Sequence, residues 1–121
     1  MNTLFMLTMI IEGIFALGFI TVPGVMLGQF GVVLNDVAVV FARLFGSALL
    51  SFPVLLWYAR RSDKPEFKMG VVRGLYMYYL ASTPILLLTQ TAALMNAKGW
   101  SIVILHLGLL VWFGVYAFKK N

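Results

Sequence analysis

Apolar residues run almost unbroken through four stretches of the chain, about Thr3–Val22, Val37–Ala59, Val71–Thr91 and Ser101–Phe118. Each is close to the roughly 20 residues a helix needs, at ~1.5 Å per residue, to cross a ~30 Å hydrocarbon core. Polar positions fall between the stretches. Pro23-Gly24 closes the first, and Asn35-Asp36 supplies an N-cap for the second. Arg60–Glu66 reads as an aqueous loop, and Asn96–Gly99 as a turn ahead of the fourth stretch. The long Leu/Val/Met runs lack the alternation of ~10-residue strands that builds a membrane barrel. The pattern predicts an all-α protein, an integral membrane four-helix bundle forming a single domain over residues 1–121.

Composition narrows the function classes. The 121 residues are 62% hydrophobic and 11% charged, against roughly 45–50% and about 25% for a soluble domain. So little polar surface excludes a soluble enzyme, a disordered chain and a nucleic-acid binder. The net charge of +5 is placed asymmetrically. Arg60, Arg61, Lys64, Lys68 and Arg73 surround the middle loop and Lys119 and Lys120 form the tail, whereas the first and third loops hold only Lys98. By the positive-inside rule both termini and the middle loop are cytoplasmic. A secretory signal peptide is not expected, because the N-terminus carries no basic side chain. The chain has no cysteine, which removes disulfides, thiol redox chemistry and thiolate metal sites.

Smaller features fit the same map. The first loop, Pro23–Asp36, is apolar and free of Lys or Arg, so it should lie at the outer interface as a cap over the helix ends, or serve as a docking surface. Trp57, Tyr58 and Trp100 fall where interface anchors occur. Tyr76, Tyr78 and Tyr79 fall in the inner half of span three, where packing is expected, with hydroxyls directed to headgroups or facing helices. Pro53 and Pro84 are each expected to interrupt a helix, freeing the carbonyls of Leu49 and Leu80.

Glu12 and Arg43 carry the most information, because a charge near the bilayer centre costs at least about 2.5–3.5 kcal/mol and seldom faces lipid. Nine residues into span one, Glu12 lies ~14 Å from the inner face; Arg43, six residues into span two, lies ~9 Å from the outer face. The remaining axial gap of ~7 Å is short enough for two extended side chains. Arg43, Ser47 and Ser51 share one helix stripe, as do Thr8, Glu12 and Ala16. These spacings predict a Glu12–Arg43 ion pair inside the bundle, with Ser47, His106 or the Leu80 carbonyl completing its hydrogen bonds. The pair is expected to fix helix packing, or to serve as a transport site if Glu12 exchanges partners. His106 is the one histidine and no ligand cluster surrounds it in the sequence, so neither metal nor cofactor is expected. No nucleophile–base set or phosphate loop is present either, and the chain reads as non-enzymatic.

Two resemblances bear on this. A membrane glutamate in span one of a four-span chain is superficially similar to the small multidrug-resistance transporters. Here, however, Ile11 stands where that family has alanine, and span three has neither tryptophan nor a Gly-x-Gly. The Pro-Gly end of span one, the Ala42-Arg43-Leu44-Phe45-Gly46 segment, Tyr58-Ala59-Arg60-Arg61 and Met95–Trp100 resemble a widespread uncharacterised group of small bacterial four-helix membrane proteins. That resemblance implies an inner-membrane location and the four-helix fold, and supplies no activity. The expected function is a self-associating protein or an accessory subunit of a larger membrane complex, in contact with lipids and with no nucleic acid. Small residues (Gly13, Ala16, Gly46, Ala48, Gly74, Ala81 and Gly108) would permit close helix contacts. The alternative is a small proton- or cation-coupled transporter using Glu12.

Overall fold

A computed structural model describes residues 1–120, which fold as helices joined by short turns. They are α1 (Asn2–Thr21), α2 (Pro23–Gly28), α3 (Asp36–Leu49), α4 (Ser51–Arg61), α5 (Pro65–Thr91) and α6 (Gly99–Ala117). Four segments are long and apolar enough to cross a membrane: α1, α3 with α4 (Asp36–Arg61), α5 and α6. Only 22–28% of each spanning window is buried, and the outward faces carry residues such as Ile14, Leu88 and Ile104, all more than 60% exposed. Surfaces that apolar are stable against acyl chains and not against water. The protein is a small multi-pass membrane protein.

Local chemistry sets the helix ends. The Asn35 side chain accepts from the Ala38 N–H at 2.8 Å and caps α3, as its position in the sequence predicts. Arg60 and Arg61 belong to the end of α4, and Pro65 and Glu66 open α5, which starts six residues before the apolar run does. The reason lies in the first turn: proline at N1 loses no hydrogen bond, and a glutamate there suits the helix dipole. The aqueous loop is therefore only Ser62–Lys64. The second crossing breaks at Leu50, three residues before Pro53, whose missing N–H and ring disturb the Leu49 carbonyl. Pro84, in contrast, stays inside a continuous α5 and does not interrupt it.

The helices associate as two antiparallel pairs. α1 packs along α3 and α4, α5 packs along α6, and α4 touches α5. One end of the bundle carries both termini and the Ser62–Lys64 loop. There the Met1 ammonium donates to the Tyr116 hydroxyl at 2.9 Å, and the Arg61 guanidinium lies 3.8 Å from the centroid of the Trp57 ring. This is the basic end, since seven of the nine Lys and Arg residues belong to it or its flanks. At the opposite loop end lie α2 and the α5–α6 turn.

The continuous core occupies the basic half alone. It joins Leu4 and Phe5 of α1, Leu56 and Ala59 of α4, Val72, Leu75 and Tyr79 of α5, and Leu109 and Phe113 of α6. Within the first pair, α1 and α3 meet closely at Gly46: a Cβ there would lie 2.8 Å from Phe19 Cβ and 2.9 Å from the Ala16 carbonyl oxygen. Glycine is needed for that approach. Gly13 faces Pro53 at ordinary contact distance, whereas Gly74 and Gly108 have open space where a Cβ would stand.

The first loop forms the cap that its apolar sequence predicts. α2 and the turn after it are clasped to the third loop, where the Asn96 N–H donates to the Phe30 carbonyl at 2.8 Å. The Asn96 side-chain amide donates to the Gln29 carbonyl at 2.9 Å. Gly31, at φ +76°, takes the left-handed conformation that lets the chain turn beneath Asn96.

Candidate functional site

Glu12 lies ten residues along a twenty-residue helix, so it sits ~15 Å from either end, at mid-membrane. The i, i+4 spacing of Thr8, Glu12 and Ala16 puts all three on the buried face of α1, as predicted; Glu12 is 3% exposed. Its partner comes from the other helix pair. The Tyr79 hydroxyl, on fully buried Tyr79 of α5, donates a hydrogen bond to Glu12 Oε1. This one polar contact ties the α1–α3–α4 unit to the α5–α6 unit at mid-depth.

The expected Glu12–Arg43 pair does not form. Arg43 is exposed on the outer face of α3, and Ser47 is exposed with it, its hydroxyl donating to the Arg43 carbonyl at 2.9 Å. Ser51 likewise is exposed and bonds to the Ala48 carbonyl. The polar stripe of span two is real but turned outward. Helix register explains the miss. Gly46 packs between Ala16 and Ile20, which leaves Glu12 and Arg43 about 13 Å apart along the axis, beyond side-chain reach. Arg43 lies ~10 Å from the start of α3, close enough for its long side chain to extend to the loop-end interface. Glu12 is satisfied by a phenol.

His106 does join Glu12, though through Tyr79 and a shared cavity rather than through an ion pair. Its ring stands edge-on to Tyr79, with centroids 5.5 Å apart, and 6.1 Å from Tyr78. Nδ1 lies 3.0 Å from the Ile102 carbonyl oxygen. Since a carbonyl only accepts, Nδ1 carries a proton, and in the neutral ring Nε2 is then an acceptor. Leu80 is 40% exposed, and Glu12 takes its hydrogen bond from Tyr79 instead of joining the Leu80 carbonyl.

Above this polar floor a half-open cavity of about 410 Å³ lies between the two helix pairs. Its walls come from both pairs: Phe15, Phe19 and Phe45 on one side, Leu86, Ile102 and Leu105 on the other, with Phe30 of the capping loop at the loop end. The polar residues of the lining are Glu12, Tyr78, Ser82 and His106. Ser82 Oγ is buried without a hydrogen-bond partner, and the Tyr78 hydroxyl makes no hydrogen bond among the described residues. Pockets of 300–1,000 Å³ with mostly apolar walls and a few converging polar groups are the usual form of small-molecule sites. Among the described residues there is no group of three His, Cys, Asp or Glu side chains that could hold a metal ion.

Sequence reasoning picked out Glu12 and His106 and missed Tyr78, Tyr79 and Ser82 as site residues. The available signal was the i, i+1, i+4 spacing of Tyr78, Tyr79 and Ser82, which puts them on one side of α5. No family model, curated protein or solved structure matches the chain. What fold and site define together is a class, a small multi-pass helical membrane protein with a half-open, polar-floored cavity.

Proposed function

We propose that the protein is a non-enzymatic binding module of the bacterial inner membrane, receiving an apolar small molecule between its two helix pairs. One observation carries this reading: the cavity of about 410 Å³ sits at mid-membrane depth and ends on Glu12, Tyr78, Ser82 and His106. A solute reaching it from the lipid would already have left water, so the apolar walls set affinity and the polar floor sets orientation. The orientation proposed, with both termini cytoplasmic, is supported by the basic end, since only Lys98 and Arg43 belong to the other half.

A neutral photoreactive alcohol, decanol bearing a terminal diazirine, tests the reading in nanodiscs. Saturable labelling of Phe30, Leu86 and Ile102, lost in Leu86→Trp, is the expected result. Unsaturable labelling spread over lipid-facing residues such as Ile14 and Ile104 contradicts it.

Proton- or cation-coupled transport through Glu12 is the second reading, supported by the position of Glu12 in the cavity wall. Self-association, or an accessory role in a larger complex, draws support from the open space over Gly74 and Gly108, where a neighbouring helix could approach closely.

A further inference from the structure

We infer that the molecule this cavity takes is an alkyl amine, its ammonium group on Glu12 and His106 and its chain running toward Phe30. The inference rests on the binding reading above and adds the chemical class of the ligand.

Four features of the site favour that head group. Glu12 is the one acidic side chain of the four crossings, bar the terminal-turn residues Asp36 and Glu66. It receives a single hydrogen bond from Tyr79, and Arg43, the cation expected beside it, is on the outer face of α3. A cationic ligand would hold Glu12 as a carboxylate and supply its countercharge in a medium where a lone charge is costly. The floor also carries acceptors: the second Glu12 oxygen, the Tyr78 hydroxyl and, in the neutral ring, His106 Nε2. An ammonium has three donors and no acceptor, matching that set, whereas an alcohol brings one donor and no charge. A carboxylate head would set a second acid against Glu12. Finally, the rings of Phe15 and Tyr78 line the cavity beside Glu12, and aromatic faces attract a desolvated cation within about 6 Å.

The tail follows from shape. Leu27, Leu49, Leu86, Ile102 and Leu105 offer no polar side chain beyond the floor. A volume of about 410 Å³ holds roughly a dozen water-sized groups, the size of an octyl to decyl amine.

Decylamine carrying a terminal diazirine is the probe, with decylamine, decanol and decanoic acid as competitors in nanodiscs of zwitterionic lipid. The expected result is saturable labelling of Phe30, Leu86 and Ile102, with decylamine competing at least tenfold better than decanol and decanoic acid weakest. Glu12→Gln, which keeps an oxygen for the Tyr79 hydroxyl, should erase most of the advantage of the amine over the alcohol. The comparison of competitors on the unaltered protein decides the matter even where that variant folds poorly. Equal competition by decanol and decylamine, with labelling still saturable, overturns the amine inference and leaves the binding reading standing. Absence of saturable labelling by both the amine and the alcohol probe overturns both.

Discussion

Replacing Tyr79 with phenylalanine removes a single oxygen and with it the one polar bond joining the two helix pairs at mid-membrane. Tyr79 is fully buried and Glu12 is 3% exposed, so bulk water has little access to replace the lost donor. Leaving a buried acceptor unmatched costs about 1–3 kcal/mol in soluble proteins. Interhelical hydrogen bonds in membranes average only about 0.6 and reach about 1.7 kcal/mol, because the unfolded chain also finds partners. A carboxyl at ~15 Å from both helix ends belongs near the upper value, so Tyr79→Phe should destabilise by about 1.5 kcal/mol. Glu12→Leu should cost a similar amount by stranding the Tyr79 hydroxyl. The double change removes both partners and should cost at least 1 kcal/mol less than the sum of the singles, about the size expected for groups in direct contact. Steric-trapping or denaturant unfolding in bicelles measures all three. Additivity within about 0.5 kcal/mol would show that the two side chains do not meet, and the reasoning would fail.

Other expectations follow from the same geometry. Arg43→Ala should leave stability within error of the parent protein and show no coupling to Glu12→Leu in the same unfolding assay, since Arg43 is exposed and about 13 Å away along the axis. Gly46→Ala should destabilise by about 1–3 kcal/mol, because the new Cβ meets the Ala16 carbonyl at 2.9 Å and backbone cannot step aside. Gly13→Ala, with Pro53 at 3.6 Å, should be tolerated and serves as the control. Asn96→Ala should cost about 1 kcal/mol and speed amide exchange selectively at Gln29–Val32, because the side-chain bond to the Gln29 carbonyl is lost. Unchanged exchange there would show that the clasp does not hold the capping loop.

How much of this is legible in the sequence depends on whether one helix or two must be known. The four crossings, the Asn35 cap, the apolar capping loop and the inward stripe of Thr8, Glu12 and Ala16 are properties of single segments, and spacing alone reveals them. The partner of Glu12 is not. Spacing shows that Arg43, Ser47 and Ser51 share a face but not which way that face turns. The answer comes from Gly46 meeting Ala16, a contact between two helices that sets both rotation and register. Tyr79 is 67 residues from Glu12 in sequence, and nothing near either residue announces the other. The cavity is a collective feature still further from the pattern. It exists because the large core side chains, Phe5, Leu56, Tyr79 and Phe113, gather in the basic half, and the loop half is left to rings that line a space.

The central claim is that Glu12 reaches across to α5 rather than along α3, and cross-linking in native membranes tests it most directly. The chain has no cysteine, so paired cysteines can be introduced at Glu12 and Tyr79, or at Glu12 and Arg43, and treated with a short bifunctional thiol reagent. The account predicts an efficient intramolecular cross-link for the 12–79 pair and none for 12–43. A cross-link for 12–43 with none for 12–79 would contradict it.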